Sequence, residues 1–113
     1  MTDNHINYIE YYAQDLEEIK SFYSAAFGWK FTDYGPEYTA FEDSGLAGGF
    51  ERSDKAVVNG ALCVLYHSEL ETILNKLQSL GASISKPIFS FPGGRRFHFL
   101  DPAGNELAIW SDK

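Results

Sequence analysis

The chain has 113 residues, 44% of them apolar, which is enough for one small globular domain and excludes a disordered chain. Its formal net charge of −7 argues against a nucleic-acid or anionic-membrane surface, since both need clustered cations. The single cysteine, Cys63, excludes an intrachain disulfide and a cysteine-built metal cluster.

The opening Met1-Thr2-Asp3-Asn4-His5 is polar and does not read as a signal peptide. No stretch approaches the ~20 apolar residues of a membrane span, so a cytoplasmic protein is expected. His5 to Tyr12 is rich in β-branched and aromatic residues and reads as a strand. Asp15 then caps a helix, with Glu18 placed to complete a capping box. Leu16, Ile19, Phe22, Tyr23, Ala26 and Phe27 form its apolar stripe, and Gly28 ends it. Strands are predicted at Trp29–Tyr34, Tyr38–Glu42 and Leu46–Arg52, separated by Gly35-Pro36 and Asp43-Ser44-Gly45 turns. The polar stretch Ser53–Asn59 reads as a linker.

The pattern then repeats. Gly60–Tyr66 is a strand in which Cys63 reads as a core thiol rather than a nucleophile. Ser68-Glu69-Leu70-Glu71 reads as a second capping box. Leu70, Ile73, Leu74, Leu77 and Leu80 form the second stripe, and Gly81 stops it. Ser83–Phe89, Arg95–Leu100 and Glu106–Trp110 read as strands, joined by Pro92-Gly93-Gly94 and Asp101-Pro102-Ala103-Gly104-Asn105 turns. The order is βαβββ twice, module one at about 1–53 and module two at about 60–113 within a single domain, 1–113. The expected fold is α+β, with two tandem βαβββ modules forming a curved, cup-like mixed β-sheet and the helices on its outer face.

Two motifs carry a family resemblance across essentially the whole chain. Phe22-Tyr23 and Phe27-Gly28-Trp29-Lys30 near the start, with Phe99-Leu100-Asp101-Pro102-Ala103-Gly104-Asn105-Glu106-Leu107 near the end, resemble vicinal-oxygen-chelate proteins. These are the glyoxalase, bleomycin-resistance and dioxygenase superfamily, and the likeness is to its glyoxalase-like subgroup, related to lactoylglutathione lyase. The resemblance implies a homodimer. It also implies one divalent ion held by His and Glu at equivalent strand positions. Carried over, those positions fall on Tyr8, Leu62 and Ala108, with Glu51 as a match on the last strand of module one. Leu and Ala cannot ligate, and neutral Tyr is a poor ligand, so neither the usual metal nor any other cofactor is expected. Glu51, His98 and Glu106, with Glu10, are the residues from which an unconventional site would be built.

Strand alternation sorts the remaining candidates. If Tyr8 faces the cleft, so do Ile6, Glu10 and Tyr12, while Ile9, Tyr11 and Ala13 pack on the helix. If Ala108 faces it, so do Glu106 and Trp110, while Leu107 and Ile109 pack on the helix. Leu62, Val64 and Tyr66 complete that side, and Arg96 and His98 share a face after the Pro92-Gly93-Gly94 turn. The predicted ligand-binding set is therefore Tyr8, Glu10, Tyr12, Tyr66, Arg96, His98, Glu106 and Trp110. The plainer readings are an aromatic filling or a dimer interface for the rings, and an exposed basic pair for Arg95-Arg96. Three functions stay open at this point. One is a metal-independent small-molecule binder with an aromatic, partly acidic cleft. The second is a lyase, isomerase or dioxygenase with an unconventional metal or carboxylate site. The third is a structural or partner-binding domain.

Overall fold

The computed structural model describes residues 1–55, 60–100, 102 and 105–113. The strands and helices run β1 Ile6–Ala13, α1 Leu16–Phe27, β2 Lys30–Asp33, β3 Tyr38–Glu42, β4 Gly48–Arg52, β5 Ala61–Tyr66, α2 Leu70–Ser79, β6 Ser83–Phe91, β7 Gly94–Leu100 and β8 Glu106–Ser111. The fold is α+β, with βαβββ twice over. The chain forms two compact units: Tyr8–Leu62, here the first module, and Met1–Asn7 with Cys63–Lys113, here the second. No described helix is long and apolar enough to cross a membrane.

In the first module, Asp15 accepts the Glu18 backbone N–H at 3.1 Å and starts α1, and Gly28 ends it at φ 74°. The strand order is β2-β3-β4-β1, with β1 parallel to β4 and the other pairs antiparallel. Ala13, Phe41 and Phe50 form the buried core, and Ile9, Tyr11, Leu16, Ile19, Tyr23, Trp29 and Phe31 pack on it. Three stripe positions depart from expectation: Phe22 is 59% exposed, Phe27 65%, and Ala26 is exposed too. Phe22 lies on the flank of the stripe and Phe27 in the last helical turn. Each instead meets Tyr23 ring to ring.

In the second module the order is β5-β8-β7-β6, with β5 parallel to β8 and the other pairs antiparallel. Leu70, Ile73, Phe97, Phe99 and Ile109 form its core under α2. The N-terminal segment belongs to this unit by hydrogen bonding. Asn4 N–H donates to the Tyr66 carbonyl, and Tyr66 N–H donates to the His5 carbonyl.

The second capping box does not form. Ser68 donates its hydroxyl and its backbone N–H to Asp3, both at 2.9 Å, so it is not available to cap. Helix α2 starts one residue later, with Glu69 as N-cap and no side-chain bond from it. His67 is half-buried and accepts the Glu69 N–H on Nδ1 at 2.9 Å. Leu80 follows the last helical residue and is 71% exposed rather than part of the stripe. Cys63 is half-buried. Residues 56–59 of the linker and Asp101, Ala103 and Gly104 of the last turn lie outside the described residues.

Strand β6 runs to Phe91, two residues beyond its expected end, and contains Pro87. It tolerates a proline because it is the edge strand of its unit. Its pairing with β7 shifts register between Ile84 and Lys86 and again between Lys86 and Phe89. These bulges decide which way the Phe89 and Phe91 rings face.

Candidate functional site

In each module the helix covers one sheet face, so the alternate residues of every strand lie on the other face. In the first module that face carries Tyr8, Glu10 and Tyr12 from β1. Register places Glu10 opposite Gly49, and Gly49 opposite Ala40 of β3. It also places Tyr12 opposite Glu51, and Glu51 opposite Tyr38. Gly49 has no side chain, and the Tyr38 ring occupies the space. A Cβ added at Gly49 would lie 2.5 Å from the Tyr38 hydroxyl and 2.7 Å from the Thr39 carbonyl oxygen. Tyr38 thereby crosses β4 and donates to Glu10 Oε2 at 2.9 Å. Its hydroxyl also meets that of Tyr8 at 2.5 Å. Glu10 is only 2% exposed. Burial first, then the Glu10 charge and the Tyr8 hydroxyl, push the Tyr38 phenol far above its ordinary range, so it stays protonated and acts as a donor.

In the second module the helix-free face carries Arg96 and His98 of β7, Glu106, Ala108 and Trp110 of β8, and Val64 and Tyr66 of β5. His98 is 1% exposed. Its direct partner across the ladder is Ala108, whose methyl leaves room. The imidazole therefore leans diagonally, and Nδ1 lies 3.1 Å from Glu106 Oε2. The Ser85 hydroxyl donates to the same oxygen at 3.1 Å. The Arg96 guanidinium lies 5.4 Å from the centre of the Phe89 ring and 6.0 Å from that of Phe91. The Phe89 ring is 5.9 Å from the His98 ring. Trp110 touches Tyr66 and Phe91, and its Nε1–H donates to Asn7 at 3.1 Å. Tyr66 is buried and donates to Asp112 at 2.6 Å, which raises its phenol pKa. Arg95 points away from this group. It makes a two-pronged pair with Glu71 of α2 at 2.6 and 3.2 Å, and that pair is structural.

The expected site residues therefore fall into two groups. Tyr8, Glu10 and Tyr12 share a face of the first module, and Tyr66, Arg96, His98, Glu106 and Trp110 share one of the second. Sequence reasoning missed Tyr38, Phe89 and Phe91. The glycine pair Gly48-Gly49 in a strand was the available signal for Tyr38, because such a gap marks close approach. Phe89 and Phe91 were hidden by the β6 bulges.

The divalent ion that the resemblance implies does not fit these residues. Leu62 and Ala108 offer no donor atom, and the Tyr8 hydroxyl is engaged by Tyr38. Among the described residues, no three His, Cys, Asp or Glu side chains are grouped to hold a metal, so Glu51, His98, Glu106 and Glu10 do not form one.

The sequence model of the Glyoxalase/Bleomycin resistance protein/Dioxygenase superfamily matches residues 5–109. Among solved structures, the chain is similar to one described as an NAD-dependent benzaldehyde dehydrogenase from Legionella pneumophila. That match has a TM-score of 0.74 at 18% identity and covers 94% of this chain and 98% of the other. It is also similar to a Mn(II)-bound glyoxalase from Novosphingobium aromaticivorans, with a TM-score of 0.71 and 19% identity. There 97% of this chain matches 39% of a longer protein. A superfamily member from Vibrio splendidus 12B01 gives 0.71 at 14% identity, over 91% and 95% of the two chains. At these identities the likeness is one of fold. Among curated proteins, none matches the sequence.

Two measurements follow from the geometry. Gly49→Ala forces the Thr39 carbonyl and the Tyr38 ring apart, so urea unfolding should show a loss of about 1–3 kcal/mol. A change within about 0.5 kcal/mol would mean that the gap is not needed. The second concerns His98. Its burial, with the charges of Arg96 and Lys86, lowers its pKa against the opposing pull of Glu106. The folded protein thus takes up this proton less readily than the unfolded chain. The stability this gives is complete above the unfolded value and is lost as pH falls through the lower folded one. Unfolding free energy should fall as pH drops below about 6.5, and less steeply in His98→Phe. Identical slopes would contradict the assignment.

Proposed function

The chain belongs to the Glyoxalase/Bleomycin resistance protein/Dioxygenase superfamily, and we propose that it binds a flat small molecule on the helix-free face of its second module without the superfamily's divalent ion. The observation that carries this reading is the Arg96 guanidinium over Phe89 and Phe91, beside the buried His98 imidazole. Aromatic walls with a few fixed polar groups are the usual make-up of a small-molecule site. A planar ligand gains from ring stacking here, and a cation held over the rings adds attraction for its π face or for an acidic substituent. The reading includes a homodimer in the cytoplasm, as the resemblance and composition imply.

A second reading is favoured by the His98–Glu106 pair. A carboxylate beside an imidazole is the arrangement of a general base, which would make the protein a superfamily lyase or isomerase working without a metal.

The binding reading is tested by titrating 2-naphthol into EDTA-dialysed protein in a calorimeter. Saturable one-to-one binding, weakened several-fold by Phe91→Ala, is expected. Binding that appears only after a divalent ion is added, or that ignores Phe91→Ala, would contradict it.

A further inference from the structure

The His98 imidazole has two nitrogens in different circumstances. Nδ1 faces Glu106 Oε2, which also takes the Ser85 hydroxyl hydrogen. An oxygen receiving hydrogen bonds from both sides is acting as a carboxylate acceptor. The hydrogen of the neutral ring is thus placed on Nδ1, and Nε2 is left with a bare lone pair. That atom is buried and has no hydrogen-bond partner among the described residues. A buried polar atom kept in this state is costly, and proteins retain such atoms mainly where another group completes them.

We infer that the ligand of this face donates a hydrogen bond to His98 Nε2, and so carries a hydroxyl or a ring N–H on its flat frame. This deepens the binding proposal and rests on it. A carbonyl, an ether or a carboxylate would set its own lone pairs against that of Nε2. A phenol or an enol presents the hydrogen that Nε2 lacks. The partial negative charge left on its oxygen is favoured by Arg96, two residues away on the same face of β7. Lys86, opposite His98 on β6, adds to the same field. Glu106 is the positioning residue, because it holds the hydrogen on Nδ1.

Phe89 flanks the imidazole. It is half-buried on an edge strand immediately after a register shift. A bulged edge strand has fewer ladder bonds holding its side chains in one place. With Phe89 turned aside, Arg96 and the Phe91 ring remain as the walls of the space beside the imidazole.

The test uses the intact, untagged chain and two probes of one shape, 2-naphthol and 2-methoxynaphthalene. The naphthol should bind at least tenfold more tightly. His98→Phe should abolish that difference while the ether still binds. Long-range ¹⁵N–¹H correlation of the unliganded protein should show Nδ1 protonated and Nε2 bare at neutral pH. In Glu106→Gln the new amide can donate to Nδ1, so the hydrogen should pass to Nε2 and the preference for naphthol should shrink. Equal affinity for the two probes would overturn this inference and leave the binding proposal intact. Failure of both to bind would overturn both. A hydrogen found on Nε2 in the unaltered protein would overturn the inference whatever the probes do, and that readout survives if His98→Phe fails to fold.

Discussion

The structure depends on the alternation of side chains along its strands, combined with one helix for each set of four strands. A single helix covers only one sheet face. The apolar parity of each strand must go to that face, because a one-residue slip would turn the whole set outward. In the first module this commits Tyr11, Ala13, Phe41 and Phe50 to α1, and in the second Phe97, Phe99 and Ile109 to α2. Every other residue of the same strands is released from that duty. Glu10, Tyr38, Arg96 and His98 occupy positions in the strands that the helices do not need.

Both modules then use the same device to organise the released residues. A long side chain reaches past a small neighbour to a carboxylate. Tyr38 crosses Gly49 to reach Glu10, and His98 leans past Ala108 to reach Glu106. The outcomes differ because the chemistry differs. A tyrosine hydroxyl bonded to a buried carboxylate is held protonated, so the first-module group is a fixed hydrogen-bond network. An imidazole has a second nitrogen, so satisfying Nδ1 leaves Nε2 buried without a hydrogen-bond partner among the described residues. Ala108 stands where the resemblance implies a metal-binding carboxylate. Glu106 is two residues earlier on the same face, and its oxygen is spent on His98 and Ser85.

Much of the fold was legible in the sequence because it rests on periodicity. The Asp15 cap, the Gly28 stop and the parity of β1 and β8 follow from residue types at fixed spacing. What escaped depended on contacts between residues far apart in the chain. The second capping box failed because Asp3, 65 residues before it, takes the Ser68 hydroxyl. Phe22 and Phe27 fit a helical stripe by spacing, yet their exposure depends on where the stripe ends. The candidate site was legible where strands are regular, as for Glu10, His98, Glu106 and Trp110. It was hidden at Phe89 and Phe91, where β6 slips register. Tyr38 was hidden because it reaches Glu10 two strands away only across Gly49, which has no side chain.

The most direct test of the account is the metal content of the untagged protein after dialysis against Ni²⁺, Zn²⁺, Mn²⁺ and Fe²⁺ in turn. With Leu62 and Ala108 at two ligand positions and Tyr8 bonded to Tyr38, no ion should be retained in stoichiometric amount. One ion per chain, lost in His98→Ala or Glu51→Ala, would contradict the account and return this chain to the metal chemistry of its superfamily.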